Sequence, residues 1–339
     1  MAKVAVVILN WNGVKFLEKF LPKIIEYSKE NAEVIVADNA STDHSIEFLQ
    51  ENFPEIRIIK HDINKGFAKG YNDTLKQVEA EYYVILNSDI EVSKNWIAPI
   101  IEKMDSHPEI GACQPKILSE HDHQYFEYAG AAGGFIDKYG YPFCRGRIFQ
   151  TLEKDHGQYD QETEIFWATG ACLFVRSELF HQLGGFDEDF FAHMEEIDFC
   201  WRMKKLGHKI MYLPYAKVYH VGGGTLPKSS AFKTYLNIRN NIAMLYKNLP
   251  SNQLLKILFI RLILDGIASV KFLFTGGAKE FWAVARAHMY IYRNMSKLKA
   301  KRKQISKTKT DKIYQGNIVF DHYAKGKNKF SELNTELFN

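Results

Sequence analysis

The sequence predicts an α/β fold built on a doubly wound, mostly parallel β-sheet that is flanked by helices. Residues 4–9 form an uninterrupted apolar run, which is typical of a central strand covered on both faces. Strand-like and helix-like segments then alternate along the chain as far as a strand at 82–86. Because βαβ units are the usual connection between parallel strands, this alternation predicts a parallel sheet.

The connecting helices follow from the spacing of apolar residues. An amphipathic helix is predicted at 14–29, and a second helix follows the polar segment 38–43. A third helix is predicted where four apolar residues recur at helical spacing, namely Phe67, Tyr71, Leu75 and Val78. The strands that alternate with these helices are predicted at 4–9, 33–37, 56–59 and 82–86.

Polar residues stand where three of the predicted strands end. Asn10 follows the first strand, Asp38 the second, and Asn87-Ser88-Asp89 the fourth. In an open α/β sheet, ligands bind beyond the carboxyl ends of the strands. A carboxylate there is a hard oxygen ligand suited to Mg²⁺ or Mn²⁺, which can bridge the phosphates of a nucleotide. Asn-Ser-Asp is also ordinary turn chemistry, so taken alone this motif supports both interpretations equally.

The turn after the first strand, Asn10-Trp11-Asn12-Gly13, lacks the G-x-G-x-x-G pattern of dinucleotide-binding domains. Asn64 and Gly66 are predicted to form the tight turn that starts the third helix. Further along the chain, residues 165–175 predict a strand pair or a strand bent at Gly170. A helix marked by Phe199, Met203 and Leu206 and a strand at 209–213 follow.

Composition sets the broad class of the protein. The chain has 339 residues, 46% of them hydrophobic and 25% charged, which is ordinary for a globular protein with a core. Its four cysteines are far apart and include no CxxC pair, so we predict a reduced cytosolic protein without a zinc site or disulfide framework. The N-terminus shows no signal peptide, and no run of eighteen uncharged apolar residues predicts an ordinary transmembrane helix.

The segment 110–166 is rich in glycine and aromatic residues. Such segments usually carry short strands and adaptable loops. Aromatic faces can also stack on sugar rings, so the segment could line a carbohydrate site. A looped edge of the core explains the composition equally well. The residues concerned include Tyr125, Phe126, Tyr128, Phe135, Tyr139 and Tyr141.

Two acidic residues, Glu195 and Glu196, stand at the start of the predicted helix 195–206. Acidic side chains in a first turn stabilise a helix by about 0.3–1 kcal/mol through the helix dipole, which is a sufficient structural explanation. The functional alternative is a general base that deprotonates a hydroxyl. His220 follows a strand and precedes three glycines, which let backbone approach a ligand closely.

The C-terminal third contains apolar helices and a basic run. Residues 254–274 are strongly apolar, and a second helix is predicted at 279–297. Seven of the thirteen residues from Lys297 to Lys309 are Lys or Arg, and none is acidic. These helices could cap the domain, or they could lie in the plane of an anionic membrane surface. The last thirty residues are polar and are expected to be poorly ordered.

Four of these motifs, in this order, resemble family 2 glycosyltransferases of the GT-A fold, and most closely the bacterial rhamnosyltransferase-like branch. The resemblance implies that Asp38 binds the nucleotide base, with Asn10, Asn64, Gly66, Asn87 and Ser88 as further nucleotide-binding residues. It also implies that Asn87-Ser88-Asp89 stands at the D-x-D position and that Asp89 binds the metal. The motifs are residues 6–13, 38–43, 64–68 and 86–89.

The same resemblance suggests roles for residues further along the chain. The family pattern Glu-Asp-x-Asp-Leu reads Glu195-Glu196-Ile197-Asp198-Phe199 here, so Glu196 takes the position of the base and Glu195 is the fallback. Asp198 is assigned a structural role. His220 is expected to help hold the metal or diphosphate, with the following glycine-rich turn closing over the donor. Arg239 is a candidate diphosphate contact.

We therefore predict a cytoplasmic, inverting glycosyltransferase that depends on Mg²⁺ or Mn²⁺. It would transfer a sugar from a nucleotide-diphosphate donor to a glycan or lipid-linked glycan in cell-surface polysaccharide synthesis, at the inner face of the membrane, with no nucleic-acid partner. The predicted parts are a GT-A domain at 1–225, a helical region at 226–300 and a basic, polar tail at 301–339. The alternatives are a sugar-phosphate nucleotidylyltransferase and a non-catalytic membrane-associated scaffold.

Overall fold

A mixed nine-stranded sheet runs through the part of the chain that the computed structural model describes, residues 2–222, 230–275, 277–306 and 308–338. Its first half is parallel, in the order β3-β2-β1-β4. These strands are β1 (Ala2–Asn10), β2 (Glu33–Asp38), β3 (Arg57–Lys60) and β4 (Ala80–Asn87). The helices between them are α1 (Val14–Ser28), α2 (Ser45–Asn52) and α3 (Gly66–Leu75). The predicted βαβ alternation is confirmed.

The second half of the large sheet is mixed in direction. The strands here are β5 (Ile90–Val92), β6 (Ile110–Ser119), β11 (Thr163–Glu164), β12 (Cys172–Arg176) and β13 (Lys209–His220). β12 runs antiparallel between β4 and β6, and β13 runs parallel to β6. The helices on this side are α4 (Ala98–Ser106), α5 (Ser177–Gln182) and α6 (Glu195–Lys205). The strand predicted at 209–213 therefore continues to His220, with a register shift after Leu213.

Helices cover both faces of the large sheet, because alternate residues of β1 point into two separate cores. Val4, Val6 and Ile8 pack with α1 and α4 on one face. Ala5 and Val7 pack with α3, α5 and α6 on the other. This double coverage explains why the first strand has no polar residue between Val4 and Leu9.

A second, smaller sheet lies in the middle of the glycine- and aromatic-rich segment. Its order is β10-β9-β8-β7-β14. The strands are β7 (Gly134–Asp137), β8 (Pro142–Cys144), β9 (Arg147–Ile148), β10 (Thr151–Leu152) and β14 (Ile313–Tyr314). Phe126 and Phe135 are buried in the core, as a looped edge of the core requires, whereas Tyr125 and Tyr128 are exposed. A side chain at Gly134 would lie 2.0 Å from the ring of Trp167, so only glycine fits there.

The C-terminal tail is ordered, so the expectation of poor order is wrong for the described residues up to 338. β14 pairs in parallel with β7, and α11 (Ile318–Tyr323) follows it. Tyr314 and Ile318 are fully buried. The tail is polar on average, but a few buried side chains are enough to pack it against the rest of the protein. The predicted boundaries at 225 and 300 remain predictions, and residue 225 lies outside the described part of the chain.

The C-terminal region is helical, as predicted, and its described residues form four helices before β14, the predicted helix 279–297 being divided in two near Asn294. They are α7 (Ala231–Asn248), α8 (Ser251–Thr275), α9 (Ala278–Arg293) and α10 (Met295–Gln304). α7 contacts each of the other three and also packs against α6. In the residues that the structure describes, no helix is both long enough and apolar enough to cross a bilayer.

Candidate functional site

The carboxyl ends of β1, β2 and β4 meet at one edge of the large sheet. The strand register sets Asn10 opposite Asp38 and Leu9 opposite Asn87. The side-chain amide of Asn10 donates to the Asp38 carboxylate at 3.3 Å, and the backbone N–H of Ser41 donates to its other oxygen at 2.9 Å. The buried Oδ1 of Asn10 has no hydrogen-bond partner among the described residues. A carboxylate and an amide oxygen are thus available to a ligand at this edge.

Asn64 and Gly66 shape the turn at the start of α3. The side-chain oxygen of Asn64 accepts from the N–H of Gly66 at 2.8 Å and from Asn39 at 3.0 Å. Gly66 has a positive φ of 70°, and a side chain there would lie 2.5 Å from the ring of Phe191. The structure therefore gives Asn64 and Gly66 a role in holding this loop, beside Asn39, a residue that the sequence analysis missed.

Asp89, His220 and Glu127 form a chain of charged groups beyond β4. Nε2 of His220 lies 3.1 Å from the carboxylate of Asp89, and its Nδ1 lies 2.8 Å from Glu127. The amide of Asn87 lies 3.4 Å from Nε2 of the same ring. All three charged side chains are almost completely buried. The structure thus brings together the two predicted metal ligands and Asn87, while Ser88 faces the turn at Gly13.

The charges in this chain shift one another's pKa. Burial by itself would lower the pKa of His220, but the carboxylates of Asp89 and Glu127 outweigh it and raise that pKa to about 10. Burial likewise opposes ionisation of both carboxyl groups, yet the imidazolium holds the pKa of Asp89 and of Glu127 below the usual range. Gly222 adds a backbone hydrogen bond to Asp89. The site therefore stays charged across the neutral range.

The Asp89–His220 pair fits a divalent cation. In this structure Nε2 of His220 lies at hydrogen-bonding distance from the Asp89 oxygen, so a cation would take the place of the proton between them, because only a neutral imidazole binds a metal. Glu127 on the other ring nitrogen is the arrangement that orients metal-binding imidazoles. No group of three or more His, Cys, Asp or Glu side chains suited to a metal occurs in the described ranges. Two protein ligands leave other positions to substrate and water.

Glycines complete this corner of the site. Gly222 has a φ of 71°, and a side chain there would lie 2.5 Å from Oε1 of Glu127. The backbone must therefore pass close to the charged chain, as the glycine run after His220 predicts. Gly223, Gly224 and Thr225 lie outside the described residues, and with them the predicted closure of the turn over a donor.

Glu195 and Glu196 are the first residues of α6, and both carboxyl groups are desolvated. Neither Oε2 atom has a hydrogen-bond partner in the part of the chain that is described. Burial raises the pKa of Glu196 to about 7. Burial, together with the neighbouring Glu196, raises the pKa of Glu195 well above its usual range. Glu195 is only 4% exposed and Glu196 is more accessible, so Glu196 is the better placed to exchange a proton.

The loop before α6 is held in a strained conformation. Phe191, His193 and Met194 all have positive φ, which is costly for residues other than glycine. The carbonyl of Phe191 accepts from the N–H groups of Phe67 and Ala68 at the start of α3. This loop therefore connects the glutamates to the helix whose first turn lies at the nucleotide edge.

Arg239 and Asn240 on α7 hold this loop from the other side. The guanidinium of Arg239 donates to the carbonyls of Asp189 and Phe190 at 2.8 and 2.9 Å. The amide of Asn240 lies within 2.9 Å of three loop carbonyls, those of Phe190, Ala192 and His193. The assignment of Arg239 to a diphosphate remains a prediction, and in this structure its buried guanidinium positions the loop. A single Arg-Asn pair in sequence does not distinguish these roles.

Asp198 is structural, as expected, and Glu127 is the main residue that sequence reasoning missed. Asp198 is fully buried and accepts hydrogen bonds from Arg202 and Asn248 at 2.9 and 2.8 Å. Glu127 lies 93 residues from His220 in a segment without a recognisable motif. The signal that could have pointed to Glu127 was a general chemical expectation: a metal-binding imidazole usually has a carboxylate on its second nitrogen.

Comparison with known proteins identifies relatives of this chain. The family model described as "Glycosyl transferase family 2" matches residues 5–184. The N-acetylglucosaminyl-diphospho-decaprenol L-rhamnosyltransferase of Mycobacterium tuberculosis is 26% identical over 231 residues, which are 63% of this chain and 75% of that protein. The low-salt glycan biosynthesis hexosyltransferase Agl10 of Haloferax volcanii is 23% identical over 242 residues, 70% of this chain and 73% of that protein.

Two solved structures share the fold. GalNAc-T7 with UDP, GalNAc and Mn²⁺ superposes with a TM-score of 0.56 at 17% identity, over 73% of this chain and 48% of that one. The mannosyltransferase PcManGT from Pyrobaculum calidifontis, in complex with GDP-Man and Mn²⁺, has a TM-score of 0.51 at 16% identity, over 89% of this chain and 79% of that one. These similarities establish the GT-A architecture of the sheet and its helices.

Proposed function

Because this chain belongs to glycosyl transferase family 2 and is a glycosyltransferase that uses a nucleotide-sugar donor, we propose that it works by a metal-dependent, inverting transfer. The observation that carries the proposal is the pairing of Asp89 with His220 at 3.1 Å, on the sheet edge where Asp38 also lies. Donor and metal then have separate places along this edge, and the base would come from α6. The family assignment leaves no support for the nucleotidylyltransferase or the scaffold alternatives.

The nucleotide end of the donor would bind at the ends of β1 and β2. Asp38 can accept a hydrogen bond from the base, and it is held in place by Asn10 and Ser41. The unpartnered Oδ1 of Asn10 offers a second acceptor to the nucleoside. Asn64 and Gly66 would act by keeping the start of α3 close to this edge.

The diphosphate would lie at the end of β4, where Asp89 and His220 would hold a divalent cation. Bound Mg²⁺ or Mn²⁺ would neutralise the charge that develops on the departing diphosphate. Both of the solved structures described above contain Mn²⁺, which supports the choice of a divalent cation. Glu127 would keep the ring of His220 oriented, with Nε2 facing the site.

The acceptor hydroxyl would be activated by Glu196, with Glu195 as the alternative. A general base works best when its pKa lies near the operating pH, and the pKa of Glu196 is raised to about 7. Its carboxylate would take the hydroxyl proton while the acceptor oxygen attacks the anomeric carbon. The bond from that carbon to the diphosphate oxygen breaks on the opposite face, so the configuration inverts.

The acceptor would be a glycan or a lipid-linked glycan in the synthesis of a cell-surface polysaccharide. Support comes from the mycobacterial relative, whose name gives N-acetylglucosaminyl-diphospho-decaprenol as its acceptor. Such a substrate is membrane-bound, so we propose that the enzyme works in the cytoplasm at the inner face of the membrane. The exposed rings of Tyr125 and Tyr128 are available for stacking on a sugar.

The metal and donor roles are tested by calorimetric titration of UDP, GDP and dTDP with and without MnCl₂. Asp89→Asn should remove the Mn²⁺-dependent part of nucleotide binding, because one of two protein ligands is lost. Glu91→Gln is the matched control, since Glu91 lies two residues away and pairs with Lys23 at the surface. If Asp89→Asn kept the Mn²⁺ dependence of the unsubstituted protein, the proposed metal site would be wrong. Release of free nucleoside diphosphate with a lipid-diphosphate sugar acceptor then tests transfer itself.

A further inference from the structure

Helix α8 has its polar and apolar faces reversed relative to an ordinary surface helix. The buried positions recur every four residues, and three of the four are polar, namely Arg261, Asp265 and Ser269. Eight large apolar side chains point outward instead. We call them the outer apolar face: Leu255, Phe259, Leu262, Ile263, Ile267, Val270, Leu273 and Phe274. In a helix that faces water, the apolar stripe would be turned toward the core.

Specific contacts hold α8 in this orientation. Arg261 donates to Asp265 at 3.1 Å, to the carbonyl of Tyr139 at 2.9 Å and to the side chain of Asn241. The second oxygen of Asp265 lies 3.1 Å from His288 on α9. Rotating the helix to bury its apolar face would expose this ion pair and break its hydrogen bonds. The outward direction of the apolar side chains is thus built into the packing.

The outer apolar face is long and is extended by α9. From Leu255 to Phe274 it covers about 28 Å at 1.5 Å per residue. Three further large side chains are exposed on α9, namely Trp282, Met289 and Tyr292. Contiguous exposed apolar patches of this kind mark an interaction site rather than a solvated surface.

The charges around this surface are mostly positive. Within 251–275 and 277–293, both described, the exposed charged residues are Lys256, Lys271, Lys279, Arg286 and Arg293. Glu280 is partly buried, and Asp265 is buried against Arg261 and His288. An apolar centre with cations around it and aromatic side chains near its edge is complementary to an anionic lipid surface.

We propose that the outer apolar face of α8, with the exposed side chains of α9, docks onto an anionic lipid bilayer with both helices lying in the membrane plane. The sequence indicated the two apolar helices and the basic run at 297–309 together, and the structure engages part of that basic run in contacts within the protein. Lys297 and Lys301 pair with Asp189, and Lys301 also pairs with Asp187. Arg302 donates to the carbonyl of Tyr246. These three cations hold α10 onto the protein, so the proposed membrane contact rests on the outer apolar face of α8 and the exposed side chains of α9.

A second copy of this chain fits the surface less well than lipid does. In a two-fold symmetric dimer the same patch meets itself. The five exposed cations would then be brought together across the interface without exposed acidic partners on α8 and α9, both described over these ranges. Anionic lipid headgroups supply the charge that a second copy lacks. The proposal does not depend on the glycosyl-transfer mechanism, because it rests on a surface outside the donor edge.

The test is cosedimentation of the full-length protein with vesicles, without nucleotide or metal. Vesicles of phosphatidylglycerol and phosphatidylcholine should bind the protein, and vesicles of phosphatidylcholine alone should bind it much less. Binding should weaken between 50 and 500 mM NaCl, because headgroup attraction is screened, but it should not vanish, since apolar insertion persists. The emission of Trp282, isolated by comparison with Trp282→Phe, should shift to the blue on binding.

The double variant Phe259→Ser with Ile267→Ser should lower the vesicle partition coefficient at least tenfold. Both residues are exposed, so the fold should survive, which circular dichroism and Mn²⁺-dependent nucleotide binding would show. Ile63→Ser is the matched control, because Ile63 is 66% exposed at a site away from α8 and should leave partitioning unchanged. Equal binding by the double variant, or no binding by the unsubstituted protein, would overturn the proposal. So would a dimer in light scattering that the double variant converts to monomer while vesicle binding is absent.

Discussion

At the scale of single residues, the site places carboxyl groups in two contrasting environments. Asp89 and Glu127 both face the His220 ring, and the pKa of each is lowered. Glu195 and Glu196 are desolvated, and the pKa of each is raised. Carboxyl groups whose pKa values are shifted in opposite directions can serve different functions, one carrying charge and the other transferring protons. In the mechanism proposed above, the Asp89 end would neutralise charge and α6 would supply the group that transfers the proton.

Glu196→Gln should separate proton transfer from binding. The amide keeps the size of the side chain but cannot accept the proton, so turnover should fall roughly 10²–10⁴-fold while Mn²⁺-dependent nucleotide affinity is unchanged. In the unsubstituted enzyme, kcat/KM should fall as the pH drops through about 7, because the base becomes protonated. Steady-state kinetics between pH 5.5 and 9 check both points. If Glu195→Gln lost most of its turnover while Glu196→Gln stayed nearly normal, the general base would be Glu195.

The stability of Glu196→Gln tests the raised pKa of Glu196 independently of activity. A carboxyl group whose pKa is higher in the folded than in the unfolded protein stabilises the fold at low pH. That contribution is lost as the pH rises through about 7. At pH 8, Glu196→Gln should therefore unfold at a higher temperature than the unsubstituted enzyme. Its free energy of unfolding should be larger by about 1–3 kcal/mol. Calorimetric scans at pH 4 and pH 8 should show the gain only at the higher pH, because the difference develops between the ordinary glutamate pKa and about 7.

Glu127→Gln should weaken cation binding at the proposed metal site, although Glu127 is not itself a proposed ligand. Loss of one of the two carboxylates on the His220 ring should lower the pKa of that imidazole toward its ordinary value. It should also reduce Mn²⁺ affinity by about 10–100-fold, as is typical for partners of metal-binding residues. Calorimetry and the imidazole NMR resonances measure the two effects. Glu120→Gln serves as control, since its carboxylate pairs with Lys19 at the surface.

At the scale of elements, the loop between α5 and α6 is fastened by charges from two helices. Asp187 pairs with Lys247 of α7 and Lys301 of α10, and Asp189 pairs with Lys297 and Lys301 of α10. Burial would raise the pKa of Asp187, but these lysines hold it far below its usual range. The C-terminal helices thus help fix the strained backbone that leads into Glu195 and Glu196.

Lys301→Met should loosen this loop. It removes one cation from two acidic partners, and because Lys301 is partly exposed the cost should be about 1–3 kcal/mol rather than that of a fully buried pair. We expect kcat to fall more than nucleotide affinity, since the loop leads to the glutamates. Lys299→Met on the exposed side of α10 is the control.

The pH dependence of the Lys301→Met effect follows from Asp187. A carboxylate with a lowered folded-state pKa stabilises the fold above its unfolded pKa, so the difference in stability should be full at pH 7 and should shrink below about pH 4. Urea unfolding at both pH values checks this. A cost that did not change with pH would mean that the side chain acts through packing alone.

At the scale of the whole molecule, the end of the chain returns to complete the second sheet. β14 adds the edge strand beside β7, and Tyr314 packs against Phe143 and Phe338 with its hydroxyl 2.7 Å from Asp321. The tail is therefore part of the second sheet, although Ile313 lies 161 residues after Leu152, the last residue of β10.

Tyr314→Ala should destabilise the protein by about 3–5 kcal/mol, because it empties a buried aromatic site and leaves the Asp321 contact unmade. Tyr323→Ala is the comparison, since that ring is 58% exposed on the neighbouring α11. Chemical denaturation of the two variants measures the difference. Equal midpoints would show that the tail contributes little to the fold.

Much of the fold and part of the site follow from local sequence patterns. The apolar run of β1 and the helical spacing of Phe67 and Tyr71 depend on neighbours a few residues away, so they can be read directly. Parallel topology then brings Asn10, Asp38 and Asp89 to one edge without any knowledge of packing. This is why the meeting of these polar side chains at one sheet edge was predictable.

The remaining features depended on tertiary structure, since they arise between residues far apart in the chain. Glu127 reaches His220 across 93 residues, and Arg239 meets the Asp189 carbonyl across 50. The outward direction of the apolar side chains of α8 depends on Arg261 and Asp265 finding partners on other elements. Local sequence patterns were enough to predict β1 to β4 and the polar residues at their ends. Long-range packing decided which pairs of buried side chains come into contact, because the free energy of a buried charge depends on all the partners around it.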